Sequence, residues 1–150
     1  MSTLAEPAAP VAPEAPRIAD HLSCDVLIVD DAGSSRELLS SLLRNFAHGL
    51  VVREARNGTE ALALWSELRP RITLLDIDMP GLDGLTALEQ IRALDDKAFV
   101  AMVSASSDID KVKRALSQGA AGFVIKPYKP QRIVDLLQRY QERTGKALLR

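Results

Sequence analysis

From Cys24 onward, short apolar runs alternate five times with segments of helical period, and this alternation limits the fold more than any other feature of the chain. The runs are 25–29 (DVLIV), 50–55 (LVVREA), 71–75 (RITLL), 98–103 (AFVAMV) and 121–125 (AGFVI). Each is too short for a helix of ordinary length and is bounded by turn residues, which predicts strands. Between and after them lie five amphipathic stretches. Residues 34–47 place Leu38, Leu39, Leu42, Leu43 and Phe46 on one face, and 58–68 place Ala61, Leu64, Trp65 and Leu68. Residues 84–94 carry Leu85, Leu88 and Ile91; 108–118 carry Ile109, Val112 and Leu116; 130–143 carry Ile133, Leu136, Leu137 and Tyr140. These spacings predict helices with one apolar stripe each. Asn57-Gly58 and Asp83-Gly84 mark two helix starts, Pro130 opens the last, and Pro70 and Gly119 follow helix ends.

Strands that alternate with helices make an α/β protein with a parallel sheet covered on both faces. The expected architecture is (βα)5, a doubly wound five-stranded parallel sheet in the order 2-1-3-4-5. In that order strands 1 and 3 are neighbours at the switch point, and ligands bind outside the carboxyl ends of the strands. The residues just past the apolar runs converge on that edge. Strand 1 is followed by Asp30-Asp31, strand 3 by Asp76 within TLLDIDMPGLD, strand 4 by Ser104, and strand 5 by Lys126-Pro127.

Asp30, Asp31 and Asp76 would crowd one crevice, where three carboxylates cannot all stay ionised without a cation. A hard divalent ion with oxygen ligands, Mg²⁺ or Mn²⁺, fits this acid count. Lys126 adds a compact positive charge. Ser104 adds a hydroxyl, and the small Ala105 allows its backbone N–H to approach closely. A cation, an ammonium and two donors around a carboxylate form a clamp for a transferring phosphoryl group, and an aspartate can be its nucleophile.

The VDD pair, D-x-D-M-P-G-x-D-G, the VSA segment and IKPY arrive in that order on successive βα units. In this the chain resembles bacterial response-regulator receiver domains of the CheY type over residues 24–143. The resemblance implies the flavodoxin/CheY-like fold. It implies that Asp76 is a phosphoacceptor, loaded by a histidine kinase or a histidine phosphotransfer protein. It further implies that Asp30, Asp31, Asp76 and the backbone carbonyl of Asp78 hold Mg²⁺, and that Ser104, the Ala105 backbone and Lys126 contact the phosphoryl group. Phe123 stands three residues before the lysine, where the family keeps its switch aromatic. Ser104 and Phe123 would then move together and remodel the face of the fourth helix, fifth strand and fifth helix, which binds a downstream protein. Asp78 and Ser106 border the expected water path, where they would tune phosphoryl lifetime. The protein would be a signalling component rather than an enzyme acting on a separate substrate.

Plainer readings exist for these residues. Asp30 and Asp31 could end a strand and cap the first helix, Asp83 could be an N-cap, and Phe123 and Trp65 could be ordinary core. A haloacid-dehalogenase-type phosphatase also uses Asp-x-Asp with a downstream serine and lysine, but its second acidic cluster usually follows the lysine; here the acid pair sits at strand 1. A phosphorylation-independent interaction module is the other alternative.

Composition narrows the setting. With 150 residues and a net charge of −1, the chain suits one domain without a bulk-charge surface for nucleic acid. The single cysteine, Cys24, cannot pair internally, which favours a cytoplasmic location. No apolar run approaches the roughly 18 residues that insert across a bilayer. Residues 1–22 differ from the rest: Pro7, Pro10, Pro13 and Pro16 recur among alanines. That spacing favours extended conformers and reads as a disordered tether. The expected organisation is a tail over 1–22, a receiver domain over 23–143 and a short tail over 144–150. Too little sequence follows for an effector domain, so the reading is a stand-alone receiver.

Overall fold

The computed structural model describes residues 24–106 and 108–146. The Ala/Pro-rich stretch 1–22 lies outside the described residues, as do 147–150 of the expected C-terminal tail. The elements are β1 (Val26–Val29), α1 (Gly33–Phe46), β2 (Val52–Ala55), α2 (Gly58–Leu68), β3 (Ile72–Asp76), α3 (Gly84–Leu94), β4 (Val100–Ser104), α4 (Ile109–Ser117), β5 (Gly122–Ile125) and α5 (Pro130–Thr144). The strands form one parallel sheet in the order β2-β1-β3-β4-β5, as the alternation predicts.

Side chains of a strand point alternately to the two sheet faces, and the sheet accordingly divides two cores. Val26, Ile28, Leu74, Ala101 and Val103 pack with Leu39 and Leu43 of α1 and with Ile133, Leu137 and Tyr140 of α5. Leu27, Val29, Leu75, Val100 and Met102 pack on the other face with Trp65, Leu88, Ile91 and Ala115 of α2, α3 and α4. Phe99 meets Tyr140 edge-to-face with ring centroids 5.3 Å apart, the geometry that ring quadrupoles favour.

Local chemistry sets the helix starts on the site side. The Asn57 side chain accepts the Glu60 N–H at 2.8 Å, and the Asp83 side chain accepts the Thr86 N–H at 2.8 Å. Asp83 is therefore the N-cap of α3. Gly81 turns the preceding loop at φ 77°, a conformation that glycine adopts without steric cost. Neither Asp30 nor Asp31 caps α1: Ala32 holds the N-cap position without a side-chain bond.

Two predicted stripes are displaced. Leu38 is 51% exposed, because α1 seats the Leu39–Leu43 line on the sheet and turns its neighbour outward. In α4 the buried residue is Ala115, whereas Ile109 is 66% and Leu116 is 51% exposed. The small Ala115 side lies against the core, so the larger apolar residues stand at the rim.

Candidate functional site

Parallel register builds the site. Val29 pairs with Leu75, so the next residues, Asp30 and Asp76, leave adjacent strands side by side. Asp76 pairs with Val103, which puts Ser104 one position beyond. Ser104 pairs with Ile125, and the Lys126 N–H donates to the Ser104 carbonyl at 2.8 Å. The four strand ends thus gather on one edge residues that are up to 96 positions apart in sequence.

The carboxylates of Asp30, Asp31 and Asp76 each offer an oxygen, and these atoms lie within 4.8 Å of one another. Asp30 and Asp76 are buried, while Asp31 is exposed. Lys126 Nζ bridges the buried pair, 2.8 Å from Asp30 Oδ2 and 3.3 Å from Asp76 Oδ2. The Ala32 N–H donates to Asp30 Oδ1 at 2.9 Å, and the Asp78 N–H donates to Asp76 Oδ1 at 3.2 Å. Arg36 supports the edge from behind, donating to the Asp30 carbonyl at 2.7 Å and pairing with Glu54 at 2.9 Å.

The two buried acids differ electrostatically. Burial pushes the Asp76 carboxyl up to about 6, against the pull of Lys126 and with the repulsion of Asp30 added. Burial also pushes Asp30 upward, but hydrogen bonds from Lys126, Ser35 and the Ala32 N–H outweigh it and hold the carboxyl below its ordinary value. Lys126 is partly desolvated, yet its acidic neighbours raise it above the usual lysine range, so it stays charged. One ammonium thus faces three carboxyl groups. Hard, anionic oxygens in excess of the nearby positive charge suit a hard divalent cation, and the acid cluster could hold one.

Ser104 sits at this edge, fully buried, but its hydroxyl is already engaged. It donates to Asp78 Oδ2 at 3.0 Å and accepts the Ser106 N–H at 3.0 Å. Asp78 Oδ1 in turn takes Lys111 Nζ at 2.9 Å, from the first turn of α4. Ala105 is exposed beside Ser104, and Phe123 is half-buried against the core beneath α2, α3 and α4. The Lys126–Pro127 peptide is cis. Sequence reasoning misses Lys111, whose partner lies 33 residues away. It also misses the contact between Ser35 Oγ and the Tyr128 hydroxyl at 3.1 Å, although Tyr128 ends the IKPY segment.

A doubly wound sheet with an acid cluster and a bridging lysine at its carboxyl edge defines a class of α/β proteins that has many known members. The response regulator receiver domain family matches residues 26–138, and the chain belongs to it. The chain is 40% identical over 114 residues to the chemotaxis protein CheY of Listeria monocytogenes, covering 76% of this chain and 95% of that one. The receiver domain of NtrX from Brucella abortus superposes with a TM-score of 0.72 at 33% identity, covering 79% of this chain and 98% of that domain. Chemotaxis protein CheY4 of Vibrio cholerae gives 0.71 at 28% identity, with 79% and 98% covered. The chain is thus a CheY-like receiver of the two-component signalling type. No helix among the described residues is long and apolar enough to cross a membrane.

Proposed function

We propose that this protein is a response-regulator receiver that accepts a phosphoryl group on Asp76. The observation that carries the reading is the bridge of Lys126 Nζ between Asp30 and Asp76, with Asp31 within ligand reach. Asp30, Asp31, Asp76 and the backbone carbonyl of Asp78 would hold Mg²⁺ or Mn²⁺. The ion supplies charge neutralisation on the transferring phosphoryl oxygens.

The donor is a phosphohistidine on a histidine kinase or phosphotransfer protein. An Asp76 oxygen attacks phosphorus and forms a P–O bond as the P–N bond breaks. The electron pair of that bond passes to the departing imidazole nitrogen, which takes up a proton. Lys126 stays charged through the reaction and follows the new phosphoryl oxygens. Ser104 and the Ala105 N–H donate to those oxygens, and Phe123 follows the motion of Ser104. The signal leaves by a changed α4–β5–α5 face, where Ile109, Leu116 and Ile125 are exposed. Asp78 and Ser106 adjust phosphoryl lifetime. We place this activity in the cytoplasm, in a receiver unit over 23–143 flanked by tails.

The test is intact mass after incubation with acetyl phosphate, with and without Mg²⁺. Gain of one phosphoryl group, dependent on Mg²⁺ and absent in Asp76→Asn, is the expected result. No gain under any condition would turn the reading to a phosphorylation-independent binding module.

A further inference from the structure

The hydroxyl assigned to the phosphoryl group has one hydrogen to give, and it is committed elsewhere. Ser104 Oγ donates it to Asp78 Oδ2 at 3.0 Å and spends acceptor capacity on the Ser106 N–H at 3.0 Å. A hydroxyl carries a single donor, so a bond to a phosphoryl oxygen on Asp76 requires the bond to Asp78 to break. Asp78 is not a casual acceptor. Lys111 Nζ takes Oδ1 at 2.9 Å, which fixes the carboxylate with Oδ2 toward Ser104. The backbone of the same residue donates to the proposed acceptor, Asp76 Oδ1, at 3.2 Å. Asp78 therefore touches the phosphoacceptor, the hydroxyl that must reach it, and α4.

We infer that Asp78, held by Lys111, is a positioning residue that competes with the phosphoryl group for the Ser104 hydrogen. The inference rests on the phosphoacceptor reading above. In the unloaded protein the trio is a latch: Ser104 belongs to Asp78, and Asp78 belongs to α4. Loading Asp76 opens the first bond. The Asp78 carboxylate is then left with Lys111 as its side-chain partner. The ion pair at the start of α4 is then free to rearrange. This gives a direct covalent-to-helix route: phosphoryl oxygen, Ser104, Asp78, Lys111. Asp78 opposes loading in two separable ways, by its charge and by its hold on Ser104, and the second is the one inferred.

The experiment is a double-mutant cycle with beryllium fluoride as the phosphoryl mimic, at saturating Mg²⁺, read by isothermal titration calorimetry. Wild type, Asp78→Ala, Ser104→Ala and the double variant are compared. One lost competing hydrogen bond corresponds to about fivefold tighter binding in Asp78→Ala, on top of what the lost charge contributes. In the Ser104→Ala background only the charge effect remains, so the gain from the same substitution should be about fivefold smaller there than with Ser104 present. A structural or purely electrostatic role for Asp78 would produce the same change in both backgrounds, and that result overturns the latch. No change in either background overturns it as well. If wild type takes up no beryllium fluoride, the phosphoacceptor reading fails first and the latch falls with it. Lys111→Met provides a route that leaves Ser104 and Asp78 in place. Its expected effect is a Ser104–Asp78 coupling at least about twofold smaller than in wild type. An undiminished coupling would remove Lys111 from the device.

Discussion

At the scale of single residues, Asp76 and Asp30 place opposite demands on pH. The ordinary carboxylate value is 3.8, and Asp76 lies above it at about 6 in the fold. A raised acid gives stability that is complete below the unfolded value and is lost as pH rises through the folded one. Metal-free protein should therefore lose stability between about pH 4 and pH 6 on account of Asp76. Asp76→Asn should be more stable than wild type by about 3 kcal/mol at pH 7 in EDTA, with the gain gone near pH 4. Urea denaturation at the two pH values checks this, and an equal gain at both would refute the ionic cause. Asp30, held below its ordinary value, runs the other way. Its contribution is present above 3.8 and is lost as pH falls through the depressed value, so the two effects occupy different windows.

At the scale of elements, the start of α3 governs how the Asp76 loop is held. A Cβ on Gly84 would lie 2.1 Å from the Asp76 carbonyl oxygen and 2.7 Å from Ile77 Cα, both backbone atoms that cannot turn aside. Asp83 one position earlier has an ordinary capping bond to Thr86. Asp83→Ala should cost about 1 kcal/mol. Gly84→Ala should cost about 2–3 kcal/mol and also weaken the Mg²⁺ binding proposed for this edge, because the residue displaced is Asp76 itself. Urea titrations and Mg²⁺ titrations of both variants would show whether stability and metal affinity separate in this way. The bounds of α2 and α3 were legible in the sequence because Asn57 and Asp83 mark their starts chemically. The edge cluster was legible for a similar reason: strand order alone brings Asp30, Asp76, Ser104 and Lys126 together. The buried side of α4 was not, because Ile109, Val112 and Leu116 form a better apolar stripe than the Ala115 side that packs. Nor was the engagement of Ser104. A hydrogen bond between side chains on a strand end and a separate loop depends on rotamers, and no residue spacing encodes it.

At the scale of the whole molecule, one sheet serves two cores, so neither can come apart alone. Leu43→Ala on the α1 and α5 side and Leu88→Ala on the other each remove a fully buried side chain. Each should cost about 2–5 kcal/mol and move one shared unfolding transition. Circular dichroism and tryptophan fluorescence, the latter reporting Trp65 in the second core, would detect two separate transitions if the cores were independent. Ile109→Ser and Ile125→Ser, on the exposed rim, should each change stability by no more than about 0.5 kcal/mol. Cys24 lies just before β1, at the opposite end of that strand from Asp30. It is 6% exposed, its thiol donates to the Val26 carbonyl at 3.3 Å, and burial pushes its pKa up to about 11. Since the thiolate is the reactive form, an alkylating reagent must wait for this end of the sheet to open. With no other cysteine in the chain, the rate of that single alkylation is a built-in clock for breathing at the end remote from the acids. Whether a ligand added at Asp76 slows the clock would report how far its grip extends along the strands.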